Sequence, residues 1–141
     1  MKNTIYMILF IIGLVACLQG CDKTAVGYLK TDNAVYTPDS LVVKAVLDVV
    51  EDAEQIEKEM PYQSGEIQQV SGTDPKEYLL NAVHTDNGFI GAEQQIRIVQ
   101  KGKIQIEYNH TLPVGIYVLD IEVRNEGHAQ ILKSVFRVIV Q

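Results

Sequence analysis

His84 and Asp86 stand two residues apart at the end of an apolar stretch, where a general base beside an orienting carboxylate would fit. A hydrolase built on that pair needs a Ser or Thr nucleophile, and the chain has no Gly-x-Ser-x-Gly turn. The other histidines, His110 and His128, fall in separate turns, and no two of the three have the spacing of metal ligands. Asp48, Glu51, Asp52 and Glu54 form a local acidic cluster. Calcium takes six to eight oxygens in a set geometry, and no Asp-x-Asp-x-Asp-Gly loop supplies them, so the cluster reads as a solvated acidic loop. Glycoside hydrolysis needs two facing carboxylates in a cleft, which a domain of this size seldom builds. No enzymatic activity, metal or cofactor is expected.

Binding chemistry is the better prospect. Saccharides are held by exposed aromatic faces with polar neighbours. The chain has seven Tyr and no Trp, the usual platform. Tyr28, Tyr36, Tyr62 and Tyr108 are available. Tyr62 follows Pro61 in loop-like sequence, and Tyr62 and Tyr36 are taken as candidate ligand contacts, against the commoner fate of a core or edge seat. The net charge of −6 argues against nucleic acid as a partner, because phosphate binding needs a surplus of Lys and Arg.

The elements that position these residues begin with a leader. Lys2 precedes an apolar run, Ile5–Val15, that is too short to span a bilayer comfortably and is followed by small residues. Leu18-Gln19-Gly20-Cys21 resembles a bacterial lipobox, whose cysteine is lipidated and becomes the new N-terminus. That resemblance implies a lipoprotein signal over residues 1–20, a lipidated tether over 21–25 with Cys21 as the attachment point, and a domain over 26–141. Cys17 then leaves with the signal and Cys21 carries lipid, so the mature domain has no thiol for a disulfide or a metal. Loss of Lys2 shifts the net charge from −6 to −7.

Within 26–141 the pattern is β. Leu41–Val50 alternates, with Leu41, Val43, Ala45, Leu47 and Val49 on one face, after turn residues Thr37–Ser40. Glu77–His84 reads as a strand, ended by Asp86-Asn87-Gly88. Gln95–Val99 and Ile104–Tyr108 flank a tight turn. Ile116–Arg124 places Tyr117, Leu119, Ile121 and Val123 inward, with Asp120, Glu122 and Arg124 outward. A last strand, near Ile131–Val140, faces Phe136, Val138 and Val140 inward. Asp52–Met60 reads equally as a short helical turn capped by Asp52 or as an edge strand with its loop. About seven short strands with regular turn signals predict an all-β sandwich.

Leu112–Val123 resembles the penultimate strand of immunoglobulin-like and cadherin-like bacterial modules, in the form P-x-G-x-Y-x-L-x-(I/V)-x-V. The resemblance implies a tyrosine corner, with the Tyr117 ring inside and its hydroxyl returned to a loop backbone. Ser64–Tyr78 is similar to a segment of small lipoproteins of the Bacteroides type, some encoded near surface glycan-uptake machinery. Asp39-Ser40-Leu41 resembles a short O-glycosylation sequon of that group, although a turn leading into a strand is the preferred reading. Asn109-His110-Thr111 fits an N-glycosylation pattern of little consequence in a bacterium.

The expectation is a lipid-anchored, non-enzymatic binding or accessory module of the bacterial envelope, immunoglobulin-like in fold. Its partners would be the membrane, through the lipid, and a glycan or a neighbouring envelope protein. The alternative is a structural subunit that packs through its strand edges. Asp22-Lys23 departs from the acidic run that follows the cysteine in surface-exposed members, so both the cell surface and a periplasm-facing seat on the outer membrane stand open.

Overall fold

The computed structural model describes residues 27–141, with Met1, Asn3 and Tyr6 ahead of them. Cys21 and the tether 21–25 lie outside the described residues. The described chain forms strands β1 (Leu29–Lys30), β2 (Ser40–Val43), β3 (Tyr62–Gln63), β4 (Ser71–Gly72), β5 (Glu77–Thr85), β6 (Ile96–Val99), β7 (Lys103–Ile106), β8 (Gly115–Asn125) and β9 (His128–Val140). One short helix, α1 (Ala53–Glu57), lies between β2 and β3.

The strands make an all-β sandwich. One sheet has the order β2-β9-β8-β5, the other β3-β7-β6, and β1 and β4 form a small separate pair. All pairings are antiparallel except β2 with β9, where Ser40–Val43 runs parallel to Arg137–Val140. The alternation expected for β8 holds: Tyr117, Leu119, Ile121 and Val123 are fully buried. They meet Phe136, Val138 and Val140 of β9 and Ile96, Ile104 and Ile106 of the facing sheet in one core. Each such aliphatic side chain contributes about 1.5–3 kcal/mol by leaving water.

Tyr36 belongs to that core. It is 2 % exposed and meets Phe136 edge-on with ring centroids 4.8 Å apart. Its hydroxyl donates to the Gly102 carbonyl, and burial pushes its pKa up. The expectation that Tyr36 contacts a ligand is corrected: the ring packs between the sheets and its one polar atom is already used. Gly102 is suited to that close approach, since its φ is +76° and a Cβ there would sit 2.7 Å from Ile67 Cγ2.

Two other expectations change. The alternating run Leu41–Val50 is a strand only to Val43. Ala45 still donates to the Gln141 carbonyl, but the run then leaves the sheet, and Asp48 Oδ1 captures the Val50 and Glu51 amides in a turn. In the 52–60 stretch the helical reading is the one observed, over Ala53–Glu57. Asp52 precedes it without a side-chain capping bond, because its carboxylate is taken up by Lys44 and the Asp48 amide.

Candidate functional site

The two ends of the sandwich differ. Asn125, the last residue of β8, donates to the carbonyls of Tyr28 and Thr73, so the chain enters the fold where β8 ends. The opposite end lies a full strand away, about 36 Å for eleven residues. There β2, β5 and β9 finish and β8 begins, and three loops cluster.

The first loop spans 44–52. Lys44 Nζ reaches the Asp52 carboxylate at 2.7 and 2.8 Å, and the same carboxylate accepts the Asp48 amide at 2.9 Å. The hydrogen bond from Lys44 holds the Asp52 carboxyl below its usual range, and Lys44 is raised in return. Asp48 is held low by the Glu51 and Val50 amides. The acidic cluster is therefore a cross-braced loop. Among the described residues no group of three or more His, Cys, Asp or Glu is placed to hold a metal ion.

The second loop follows β5. Asn87 Oδ1 accepts the Phe89 amide and the Thr85 hydroxyl, while Asn87 Nδ2 donates to the Val114 carbonyl and the Tyr117 hydroxyl, both at 3.0 Å. Tyr117 donates in turn to the Pro113 carbonyl at 2.8 Å, which is the hydroxyl-to-loop contact expected of it. In the third loop His110 links two neighbours. Its Nε2 faces the Lys44 carbonyl at 3.0 Å and its Nδ1 accepts the Leu112 amide at 3.1 Å. Only a neutral ring protonated at Nε2 satisfies both, and burial lowers its pKa in agreement. With both nitrogens engaged, His110 has none free to act as a base.

A shallow groove of about 240 Å³ opens at this end, lined by Gln94, Gln95, Arg97, Glu107, Asn109 and His110. Arg97 and Glu107 form an ion pair along it. It offers amide and charged hydrogen-bonding groups to a polar ligand. Around it the loops display Val46, Val49, Val50, Ile90 and Val114, which are 64–93 % exposed.

The remaining sequence candidates scatter. Tyr62 lies in β3, half-buried against the core, with its ring edge-on to His110 at 6.1 Å. Tyr108 is half-buried, and its hydroxyl is 3.4 Å from Glu59. Tyr28 is 58 % exposed but sits at the entry end, so no row of tyrosines forms. His84 does not pair with Asp86. Asp86 accepts the Ile116 amide, while His84 Nε2 lies 2.9 Å from Asp120 Oδ2. Asp120, expected outward and solvated, is 7 % exposed, and its other oxygen accepts the Ser134 amide at 2.7 Å.

The pairing register slips beside Asp120 on both of its neighbours, between Leu80 and Ala82 on β5 and between Leu119 and Ile121 on β8 against β9. The His84–Asp120–Ser134 contacts stitch three strands across those bulges. The hydrogen bond from His84 holds the Asp120 carboxyl below its usual range. A reader of the sequence had no signal for this contact, since the bulges that turn the carboxylate inward depend on three strands at once. No protein-family model matches the chain, and comparisons with curated proteins and with solved structures find no match.

Proposed function

We propose that this chain is a lipid-tethered, non-enzymatic binding module of a bacterial envelope, built on an immunoglobulin-like sandwich. The observation that carries the reading is the polarity of the fold: the chain enters at one end, and braced loops carrying a polar groove and exposed aliphatic side chains stand at the other. Such an end suits binding, because loops on a rigid sheet position contact residues without ordering them anew. The strand order supports immunoglobulin-likeness. β5, β8 and β9 correspond to strands C, F and G, β3, β7 and β6 to B, E and D, and Tyr117 to the tyrosine corner. The most base-like pair, His84 and Asp120, is accounted for by the bulges, which favours binding over catalysis.

Lipidation of Cys21 would place the entry end against the membrane and the loop end away from it. Cys21→Ser should abolish labelling by a clickable fatty acid and move the protein from the membrane to the soluble fraction. A mutant that stays labelled and membrane-bound overturns the anchor. A glycan array probed with the full chain then tests the ligand class. A signal lost in Asn109→Ala supports a saccharide in the groove, and a blank array favours an accessory role beside another envelope protein.

A second reading rests on β5. It is nine residues long and stands at the edge of its sheet, with Leu79 exposed on its outer face. A neighbouring strand added there would make the chain a structural subunit. Leu79→Lys, which puts a charge on that edge strand, would then abolish assembly.

A further inference from the structure

The aliphatic residues at the loop end are displayed, not left over. Val49 and Val50 sit on a turn fixed by Asp48, and the base of that loop is closed by Lys44 and Asp52. Ile90 projects from a loop held by Asn87, and the Val114 carbonyl is held by the same side chain. Water-facing aliphatic groups on pre-ordered loops lower the cost of a binding partner, since little conformational freedom remains to be lost. Their surroundings are acidic on balance: Glu51 and Glu54 are largely exposed, Asp86 and Glu93 flank Ile90 in the sequence, and the cations beside them are Lys44, already bound to Asp52, and Lys58, paired with Glu54.

We propose that the loop end docks a protein that presents an apolar hollow rimmed by Lys or Arg, the valine and isoleucine tips entering the hollow and the carboxylates meeting its rim. This rests on the binding-module reading above. A second copy of the chain would set like charges against each other across the contact. Anionic headgroups would repel the same rim, and the tips stand at the end opposite the chain's entry. A saccharide is disfavoured because Tyr28, the exposed one of the four candidate tyrosines, is at the other end.

The test uses the full-length chain in its own cells, with benzoylphenylalanine placed at Val49, at Ile90 and, as a control, at Glu126 of the entry end. The captured protein is identified, purified in detergent and titrated with the purified full chain. The expected result is one heterologous product from positions 49 and 90 that is absent from 126. Val49→Ser/Val50→Ser, and separately Ile90→Ser, should each weaken the reconstituted binding by about tenfold. Glu51→Lys/Glu54→Lys should slow association by about tenfold at low salt and much less at high salt. These side chains are exposed, and unchanged thermal unfolding of each variant checks that the loss is one of contact.

Cys21→Ser should leave the affinity unchanged while releasing the protein from membranes, so a failed anchor and a failed docking surface are distinguishable. The proposal is overturned by tip products no stronger than the control, or by a product that is the chain itself. Affinity indifferent to the tip substitutions overturns it too, as does tip-dependent binding to phosphatidylglycerol vesicles or to a glycan array.

Discussion

Each end of the sandwich is tied by an asparagine, and the two are used differently. Asn87 at the loop end spends both halves of its amide, tying its own loop after β5 to Val114 and Tyr117 at the start of β8. Asn125 at the entry end donates to Tyr28 and Thr73, but its Oδ1 is buried with no partner among the described residues. A buried acceptor left unpaired offsets much of what the two donated bonds contribute. The loop end is thus fully braced around exposed aliphatic groups, whereas the entry end is a simpler clamp on the incoming chain. The difference matches the polarity of the fold, ordered loops at one end and a clamp on the incoming chain at the other.

The largest expected effect removes the core both ends share. Phe136→Ala takes away the ring that meets Tyr36 and should cost about 3–5 kcal/mol in denaturant unfolding. Amide exchange should then quicken at both ends together. Exchange that rises at one end alone would mean that the ends unfold independently and that the comparison describes two local structures.

Next comes the tyrosine corner. Tyr117→Phe keeps the buried ring and deletes its bonds to Pro113 and Asn87, at a cost of about 1–2 kcal/mol. Exchange should quicken around Val114 and Ile90 and stay unchanged at Tyr28 and Thr73. Gly115 reports on the same joint, because a Cβ there would sit 2.7 Å from Asp86 Oδ1. Gly115→Ala should reproduce the loop effect.

That joint also marks how far the sequence reaches. The β8 alternation from Tyr117 to Val123, the inward face of β9 and the β6–β7 hairpin follow from local pattern, because each is set by neighbours along one strand or one turn, while the Tyr117 hydroxyl contact is what the resemblance to immunoglobulin-like modules implies. The loop end does not. Leu47 and Val49 continue the alternation of β2, and only the finish of β9 at Val140, opposite Val43, shows that the strand runs out of partner. Asp120 reads as solvated for the same reason: its burial depends on bulges shared with β5 and β9. Tyr36 has no local sign of being core, since its partner Phe136 is one hundred residues away. Cys21, the attachment point that the lipobox resemblance implies, lies outside the described residues.

At the entry end, Asn125→Ala should cost only about 0.5–1 kcal/mol, less than Asn87→Ala, because the orphaned acceptor leaves with the donor. Limited proteolysis near Tyr28 should accelerate while the loop end keeps its protection. A loss larger than that of Asn87→Ala would show that Asn125 Oδ1 is satisfied in solution and that the two ends are braced alike.

The smallest effect is one of pH, and it also separates the ends. Burial lowers the His110 pKa, so the unfolded chain binds a proton more readily than the folded one as pH falls. The stability this ring confers is complete above its unfolded value of about 6.5. It is lost progressively as pH drops from there through the folded value. Protonation would place a proton on Nδ1, where the ring now accepts the Leu112 amide, and the link to Lys44 would strain with it. Asp120 responds later. Its pKa is depressed by His84, so its contribution is present above the unfolded value of about 3.9 and fades as pH falls through the folded one. Between pH 6.5 and pH 4, exchange at Ala45 and Leu112 should therefore rise while exchange at Ser134 stays slow. His110→Gln should flatten the first change and leave the second in place. Parallel loss at all three amides would mean that the loop end has no stability of its own to lose.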